Sequence, residues 1–409
     1  MKRDNVSLIL ADDYRVEIKP GGNLNTAVIG PPGGGKTFSV MLPNIVENGG
    51  ISMVIDDKKG YLFEKNADIL REAGYQVYAF DLVGFSGNVK YNPFHKMKCR
   101  DAVHEMVNFL IPNGKNNSAD LFWLMSARAL AECLMDIGMR VYKNFNLRTF
   151  FKLLYQTGAE TDSRTGQLKE DGICKLIAVE RAEGKNYDSM SRYMSLRETA
   201  SETWAGIRST LIGYMTAFDS DKLFYETDTM TMDFKLLGEE KMAIFLISSD
   251  VDDTYYPLIQ LIYKDICKQL IRAADQDYKN NDFMLPNHVR FMIDDFASGA
   301  QVPGFERVIA NCRSRNISFL LGFQSLSQLE ELYEKNAQTI LDCINYKVYF
   351  PSSNLKTEQH LSVILNLPLS DIQRMGQDTV CVESINVAPD FYKRYQTMNH
   401  IENWNRKVR

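Results

Sequence analysis

Gly30-Pro31-Pro32-Gly33-Gly34-Gly35-Lys36-Thr37 places four glycines, a lysine and a hydroxyl within eight positions, in the spacing G-x-x-x-x-G-K-[ST]. Glycines let backbone N–H groups turn inward around an anion, because no side chain blocks its approach. The helix expected after the loop offers its positive N-terminus to the same charge. In such a loop Lys36 reaches β- and γ-phosphates, the Thr37 hydroxyl ligands a magnesium ion, and Phe38 follows on the first helical turn. The predicted ligand is therefore ATP with Mg2+, held by Gly30, Pro31, Pro32, Gly33, Gly34, Gly35, Lys36, Thr37 and Phe38.

A second constellation lies far downstream. Phe291-Met292-Ile293-Asp294-Asp295 is an apolar strand ending in two acids. Asp294 is expected to hold the magnesium together with Thr37, and Asp295 to orient or deprotonate the attacking water. Gln324 ends the next strand, where ligands of a parallel sheet gather, so it is a candidate sensor of the γ-phosphate. Arg313 and Arg315 lie between these strands. Either can serve as a cation that reaches a neighbouring subunit's phosphates. Asp56, Asp57, Lys58 and Lys59 end the strand after the loop, either beside the nucleotide or as a plain charged turn.

These residues need a parallel sheet to bring them together. Residues 7–10 and 14–18 read as a hairpin around Asp12 and Asp13, and 26–29 as the buried strand before the loop. Residues 36–46 read as a helix that Pro43 should kink. A strand at 51–55, a helix at 62–72 capped by Gly74 and a strand at 75–80 complete a right-handed alternation. From 100 to 230 helix signals dominate (102–110, 121–142, 147–155, 203–217), with polar loops at 158–172 and 183–188. Alternation resumes with strands at 242–247, 289–293, 317–323 and 346–350, and helices at 257–274, 305–312 and 325–333. The polar end, 402–409, is expected to fray. The predicted class is α/β, a P-loop domain split into 1–99 and 231–409 by an all-α insertion, 100–230.

Bulk properties agree with a globular chain and remove other classes. Apolar residues make up 45 % of 409 positions, enough for two or three cores and against extended disorder. A formal charge of −5 argues against a surface that coats duplex DNA, so any nucleic-acid contact is local, as in loops lining a pore. Seven unpatterned cysteines (99, 133, 174, 267, 312, 343 and 381) point to reduced thiols in a cytoplasmic setting. No secretory signal and no apolar run of membrane-spanning length are present.

The motifs taken together resemble the cytosolic region of type IV secretion coupling proteins, the TraG-type ATPases of conjugation. That family's pattern of P-loop, P-N-I, D-P-K-G and N-P-F is met by residues 30–37, Pro43-Asn44-Ile45, Asp57-Lys58-Lys59-Gly60 and Asn92-Pro93-Phe94. Its later block is met by Asp294-Asp295-Phe296, Pro303-Gly304-Phe305, Arg313-Ser314-Arg315-Asn316-Ile317, Gln324-Ser325 and Gln328-Leu329-Glu330 to Tyr333. The similarity runs from about residue 5 to 365. It implies a RecA-like nucleotide-binding domain with an inserted all-α domain that recognises relaxase and relaxosome proteins. It further implies a homo-hexameric ring, monomeric in isolation, that moves single- or double-stranded DNA or protein to the ATPases and membrane components of a secretion channel. On this resemblance Arg313 is the trans-acting finger and Gln324 the sensor.

The departures are Asp295 where the family has Glu, Lys58 for Pro, and Tyr61 for an acid. The family's N-terminal membrane helices do not occur in this sequence. The expected place is therefore the cytoplasmic face of the membrane, reached through a separate anchor or as the soluble part of a longer chain. Two other readings use the same residues: another ring-forming DNA translocase, and a receptor platform that binds nucleotide with little hydrolysis.

Overall fold

The computed structural model describes residues 7–47, 49–111, 118–296, 302, 304–385 and 387–397; Pro303 and the polar end at 402–409 lie outside them. The chain divides into two compact units, one of Met1–Asn88 with Asp233–Arg409 and one of Val89–Met232.

The first unit opens with an antiparallel hairpin, β1 (Ser7–Ile9) and β2 (Arg15–Glu17), in which Leu8 faces Val16. β3 (Thr26–Ile29) is buried along its whole length, as its Ala-Val-Ile run requires of a strand covered on both faces, and the Thr26 hydroxyl donates to the Leu24 carbonyl at 3.0 Å. The helix after the phosphate loop does not run as one α-helix from residue 36. Pro43 has no N–H to give to the carbonyl of Ser39, and the chain forms a π turn over Thr37–Met41 before α1 (Leu42–Val46) begins. Asn44 is 1 % exposed and pins the hairpin to this helix. Its amide donates to the carbonyls of Ile9 and Val40, each at 2.7 Å, and its carbonyl accepts from Ile9 N–H at 2.9 Å. That triple bond is the physical reason for an Asn between Pro43 and Ile45.

β4 (Ser52–Lys58) runs three residues further than its apolar core predicts and carries Asp56 and Asp57 inside the strand. α2 (Tyr61–Glu72) and β5 (Gln76–Asp81) follow.

The second unit is helical: α3 (Arg100–Leu110), α4 (Ser118–Val141), α5 (Leu147–Gln156), α6 (Gly172–Ala182), α7 (Asp188–Arg197), α8 (Ser201–Met215) and α9 (Asp221–Glu226). The long α4 is its axis, with Leu130, Ala131, Leu134 and Ile137 fully buried. Asn146 and Thr149 form a reciprocal capping box that starts α5. The Asn92-Pro93-Phe94 turn belongs here, with Phe94 stacked on Phe145 at 5.1 Å. Among its described residues this unit contains only one isolated bridge, Thr161 to Leu168, inside the predicted 158–172 loop.

The chain returns to the first unit with β6 (Met242–Ser248), α10 (Tyr256–Asp277), β7 (Val289–Ile293), α11 (Phe305–Cys312), β8 (Ile317–Phe323), α12 (Leu326–Tyr333), α13 (Asn336–Asp342) and β9 (Tyr346–Tyr349). It ends with α14 (Leu355–Leu365), α15 (Leu369–Ile372), β10 (Thr379–Ser384) and β11 (Val387–Lys393). Among the described residues the sheet order is β11-β10-β9-β3-β8-β7-β4-β6-β5. The seven strands from β9 to β5 are parallel, and β10 and β11 are added antiparallel at the edge.

No strand is predicted beyond residue 350, and the reason is visible. β11 reads Val-Ala-Pro-Asp-Phe-Tyr-Lys, without an apolar run and with Pro389 as its third residue. Proline is tolerated there because β11 is an outer strand. No helix among the described residues is long and apolar enough to cross a membrane.

Candidate nucleotide site

Parallel pairing decides where the chemistry gathers. Ile29 lies opposite both Phe323 of β8 and Tyr349 of β9, so the loop leaves β3 at the carboxyl edge of the sheet. Gly30 N–H donates to the Phe323 carbonyl at 3.1 Å, which fixes the first residue of the loop. Gly33 and Gly35 hold φ values of +70° and +92°, the left-handed region that disfavours other side chains. Gly30 is required by proximity instead, since a Cβ there would lie 2.6 Å from Phe350 Cβ.

Lys36 is 6 % exposed, and its ammonium donates to the carbonyls of Gly30 at 2.8 Å and Pro31 at 3.3 Å. These bonds fold the side chain across its own loop. Phe38 is 46 % exposed and meets Tyr61 edge-on, with centroids 6.3 Å apart.

The two acidic residues arrive at the same edge on β7. The Thr37 hydroxyl donates directly to Asp294 Oδ2, closing the loop against the β7 terminus across β8. Gly322 of β8 leaves the room for this contact, because a Cβ there would lie 2.6 Å from Asp294 Oδ1. Asp295 turns left-handed at φ +52°, and its N–H donates to Asp294 Oδ1 at 3.1 Å. Burial, with the Asp294 charge beside it, raises the Asp295 carboxyl above its ordinary value, while Lys36 and Lys58 pull it back. Thr37 and Asp294 present hard oxygen donors in mutual contact, which fits a magnesium ion.

Gln324 follows β8 at this edge, its N–H accepted by Gln328 Oε1 at 3.1 Å. Arg313 stands at the opposite end of the sheet. It precedes β8, whose seven residues span about 20 Å at roughly 3.3 Å each. Its Nε donates to the Gly21 carbonyl at 3.2 Å, ahead of β3. Arg313 therefore does not reach this chain's own loop. Arg315 is committed elsewhere, with a two-pronged ion pair to Asp275 at 2.9 and 3.0 Å.

Asp56 and Asp57 are 3 % and 0 % exposed, which removes the reading as a solvated charged turn. Asp57 accepts from the N–H groups of Leu62 at 3.0 Å and Phe63 at 2.7 Å and so caps α2. Asp56 pairs with Lys58 at 3.3 Å. Burial lifts both carboxyls to about 6, against Lys58 in one case and the α2 amides in the other. Lys58 also donates to Ser248 Oγ at 2.9 Å and lies over the Tyr256 ring. Its pull on Asp295 places this lysine within electrostatic reach of the acidic edge. A further group had no signal in the sequence: Arg394, which follows β11 and lies against Gly35.

Comparison with solved structures places the fold. The plasmid coupling protein TrwB in complex with ADP and Mg2+ matches with a TM-score of 0.63 at 16 % identity, over 96 % of this chain and 90 % of that one. The unbound bacterial conjugative coupling protein TrwBdeltaN70 gives 0.62 at 16 % identity, over 96 % and 89 %. VirB4 of Thermoanaerobacter pseudethanolicus gives 0.52 at 14 % identity, over 96 % and 97 %. No curated protein matched the sequence. The sequence model of type IV secretory system conjugative DNA transfer proteins matches residues 13–406, nearly the whole chain. With its split P-loop domain and all-helical insertion, this chain belongs to the type IV secretory system conjugative DNA transfer family.

Proposed function

We propose that the chain is a coupling ATPase that brings relaxase-bound DNA or protein substrates to a type IV secretion channel and powers their transfer by hydrolysing ATP. The observation that carries this reading is the direct contact of the Thr37 hydroxyl with the Asp294 carboxylate, which unites two distant sequence elements into one magnesium-binding corner. TrwB structures of similar fold hold ADP with Mg2+ and a non-hydrolysable ATP analogue.

A magnesium ion at Thr37 and Asp294 would supply positive charge to the β- and γ-phosphate oxygens. Lys36 exchanges its two loop carbonyls for those oxygens. Asp295 orients the attacking water and accepts its proton. Arg313, too far from its own chain's loop, completes the site of a neighbouring copy, and Gln324 reports loss of the γ-phosphate. A site completed from a neighbour requires a head-to-tail ring, here a homo-hexamer. The helical unit is the surface for relaxase and relaxosome proteins. The net charge of −5 confines DNA contact to pore-lining loops at the cytoplasmic face of the membrane.

The test is ATP turnover of wild type and Arg313→Ala, alone and mixed. The variant is expected to be inactive alone and to lower wild-type turnover by more than dilution. Strictly additive rates in mixtures would count against a finger supplied in trans. Asp295 favours a second reading, a nucleotide-binding platform with slow turnover, because it is one methylene shorter than Glu and sits at φ +52°. A rate no higher than that of Lys36→Ala, with single-stranded DNA present, would select it.

A further inference from the structure

The edge hairpin ends in a side chain that the P-loop needs space for. Glu383 fastens β10 to β9 by accepting from Lys347 Nζ at 2.7 Å and Tyr349 OH at 2.8 Å. β11 pairs with β10, and the Arg394 N–H then donates to the Asp378 carbonyl at 2.7 Å. The chain beyond is strapped onto the helix that follows the loop. Tyr395 is 1 % exposed with its hydroxyl on Glu47, and the Thr397 hydroxyl donates to the Phe38 carbonyl.

Between these anchors the Arg394 guanidinium is fixed on the P-loop itself. Its Nε donates to Ser39 Oγ at 2.6 Å, and its Cζ lies 5.5 Å from the Phe350 ring centroid. A Cβ on Gly35 would fall on Arg394 Nη2 and 2.5 Å from its Cζ. The remaining contact, Nη1 to the Gln377 carbonyl at 3.4 Å, is long and exposed. Arg15 and Arg315 are paired with Glu47 and Asp275. Among the described residues no carboxylate pairs with Arg394.

An unneutralised guanidinium held against a loop of inward-turning amides strengthens the same anion site. Its side of the loop is set by the sheet. Thr37 and Asp294 lie toward β8 and β7, whereas Phe350 and Arg394 lie toward β9, on the other flank of β3. A polyphosphate whose metal-bound end faces Asp294 has its inner phosphates toward Arg394.

We propose that Arg394 is a phosphate-binding residue supplied in cis, contacting the inner phosphate oxygens of a nucleoside di- or triphosphate from the β9 side of the loop. This rests on reading the loop as the nucleotide site. It makes the antiparallel edge part of that site: the hairpin delivers a further cation beside Lys36 of the parallel core.

The test is calorimetric titration of the full chain with ADP, in magnesium buffer at several salt concentrations. Four proteins are compared: wild type, Arg394→Gln, Arg394→Lys and Tyr395→Phe. Gln keeps the reach to Ser39 and removes the charge. Tyr395→Phe loosens the strap without touching charge. Arg394→Gln is expected to weaken ADP at least about tenfold and to flatten the salt dependence, Arg394→Lys to recover part of both, and Tyr395→Phe to stay within about twofold. Binding of Arg394→Gln within twofold of wild type would overturn the proposal while leaving the nucleotide reading intact. Equal losses in Arg394→Gln and Tyr395→Phe, with unchanged salt dependence, would also overturn it and reduce Arg394 to a strap. Wild type giving no heat with ADP would remove the nucleotide reading and this proposal together.

Discussion

Gly35→Ala separates two physical demands that meet at one residue. The first is backbone: φ is +92°, and an L side chain in that region costs roughly 1–2 kcal/mol. The second is steric, since the new methyl falls on the Arg394 guanidinium. The end of an arginine can move, but moving forfeits its hydrogen bonds to Ser39 and Gln377, about 1 kcal/mol or less each. Gly35→Ala is therefore expected to destabilise the nucleotide-free protein by about 2–4 kcal/mol, and by only about 1–2 kcal/mol in an Arg394→Ala background. The coupling of about 1–2 kcal/mol is the measurable signature of the contact. The probe must report the α/β unit. Trp123 and Trp204 lie in the helical unit and Trp404 lies outside the described residues, so urea unfolding is best followed by hydrogen exchange in peptides covering β3 and the loop. Equal losses from Gly35→Ala in both backgrounds would refute the placement of Arg394 against Gly35.

Two predictions concern acids within the sheet, the buried Asp56 and Asp57 and the half-buried Glu383. Asp56 and Asp57 titrate near 6 in the folded chain, above the roughly 3.9 of an unfolded Asp, so the native state takes up their protons first. Their contribution to stability must therefore rise as pH falls from about 7 towards 5, and Asp56→Asn must flatten that part of the urea-midpoint profile; an unchanged profile in the variant would contradict it. Glu383 shows the reverse sign. Burial opposes its charge, but His360, Lys347 and Tyr349 hold the carboxyl down to about 2. Its stabilisation is present above an unfolded value of roughly 4.3 and fades as pH drops toward about 2. At neutral pH Glu383→Gln should lower stability by about 2 kcal/mol through the lost charge-assisted bonds, read as a lower Tm; an unchanged Tm would show that the edge hairpin is held by other contacts.

The loop was legible because its chemistry is local. Eight consecutive residues specify the glycines, the lysine and the hydroxyl, and the flanking apolar strand and helix follow from periodicity. The strands β3, β7 and β8 have the predicted bounds for a related reason: each is covered on both faces and is dominated by apolar residues, broken only by the buried Thr26, Arg290 and Ser318. The helical insertion announced itself through more than a hundred residues without a strand signal.

Sequence alone could not carry β4 through Asp56 and Asp57. Two adjacent acids can equally be a charged turn until Asp57 is seen to hold the α2 amides and Asp56 to pair with Lys58 inside the sheet. Arg394 and the β10–β11 hairpin were equally hidden. A strand containing proline survives because its register places it outermost and shifts beside Pro389, and an arginine one residue past it gains meaning only from what lies across the sheet. The sequence by itself determined the anion-binding loop, because backbone geometry and charge there are set by neighbours in the chain. Tertiary structure decided which distant charges face that loop, because parallel register and burial, not spacing along the chain, bring Asp294 to Thr37 and Arg394 to Gly35.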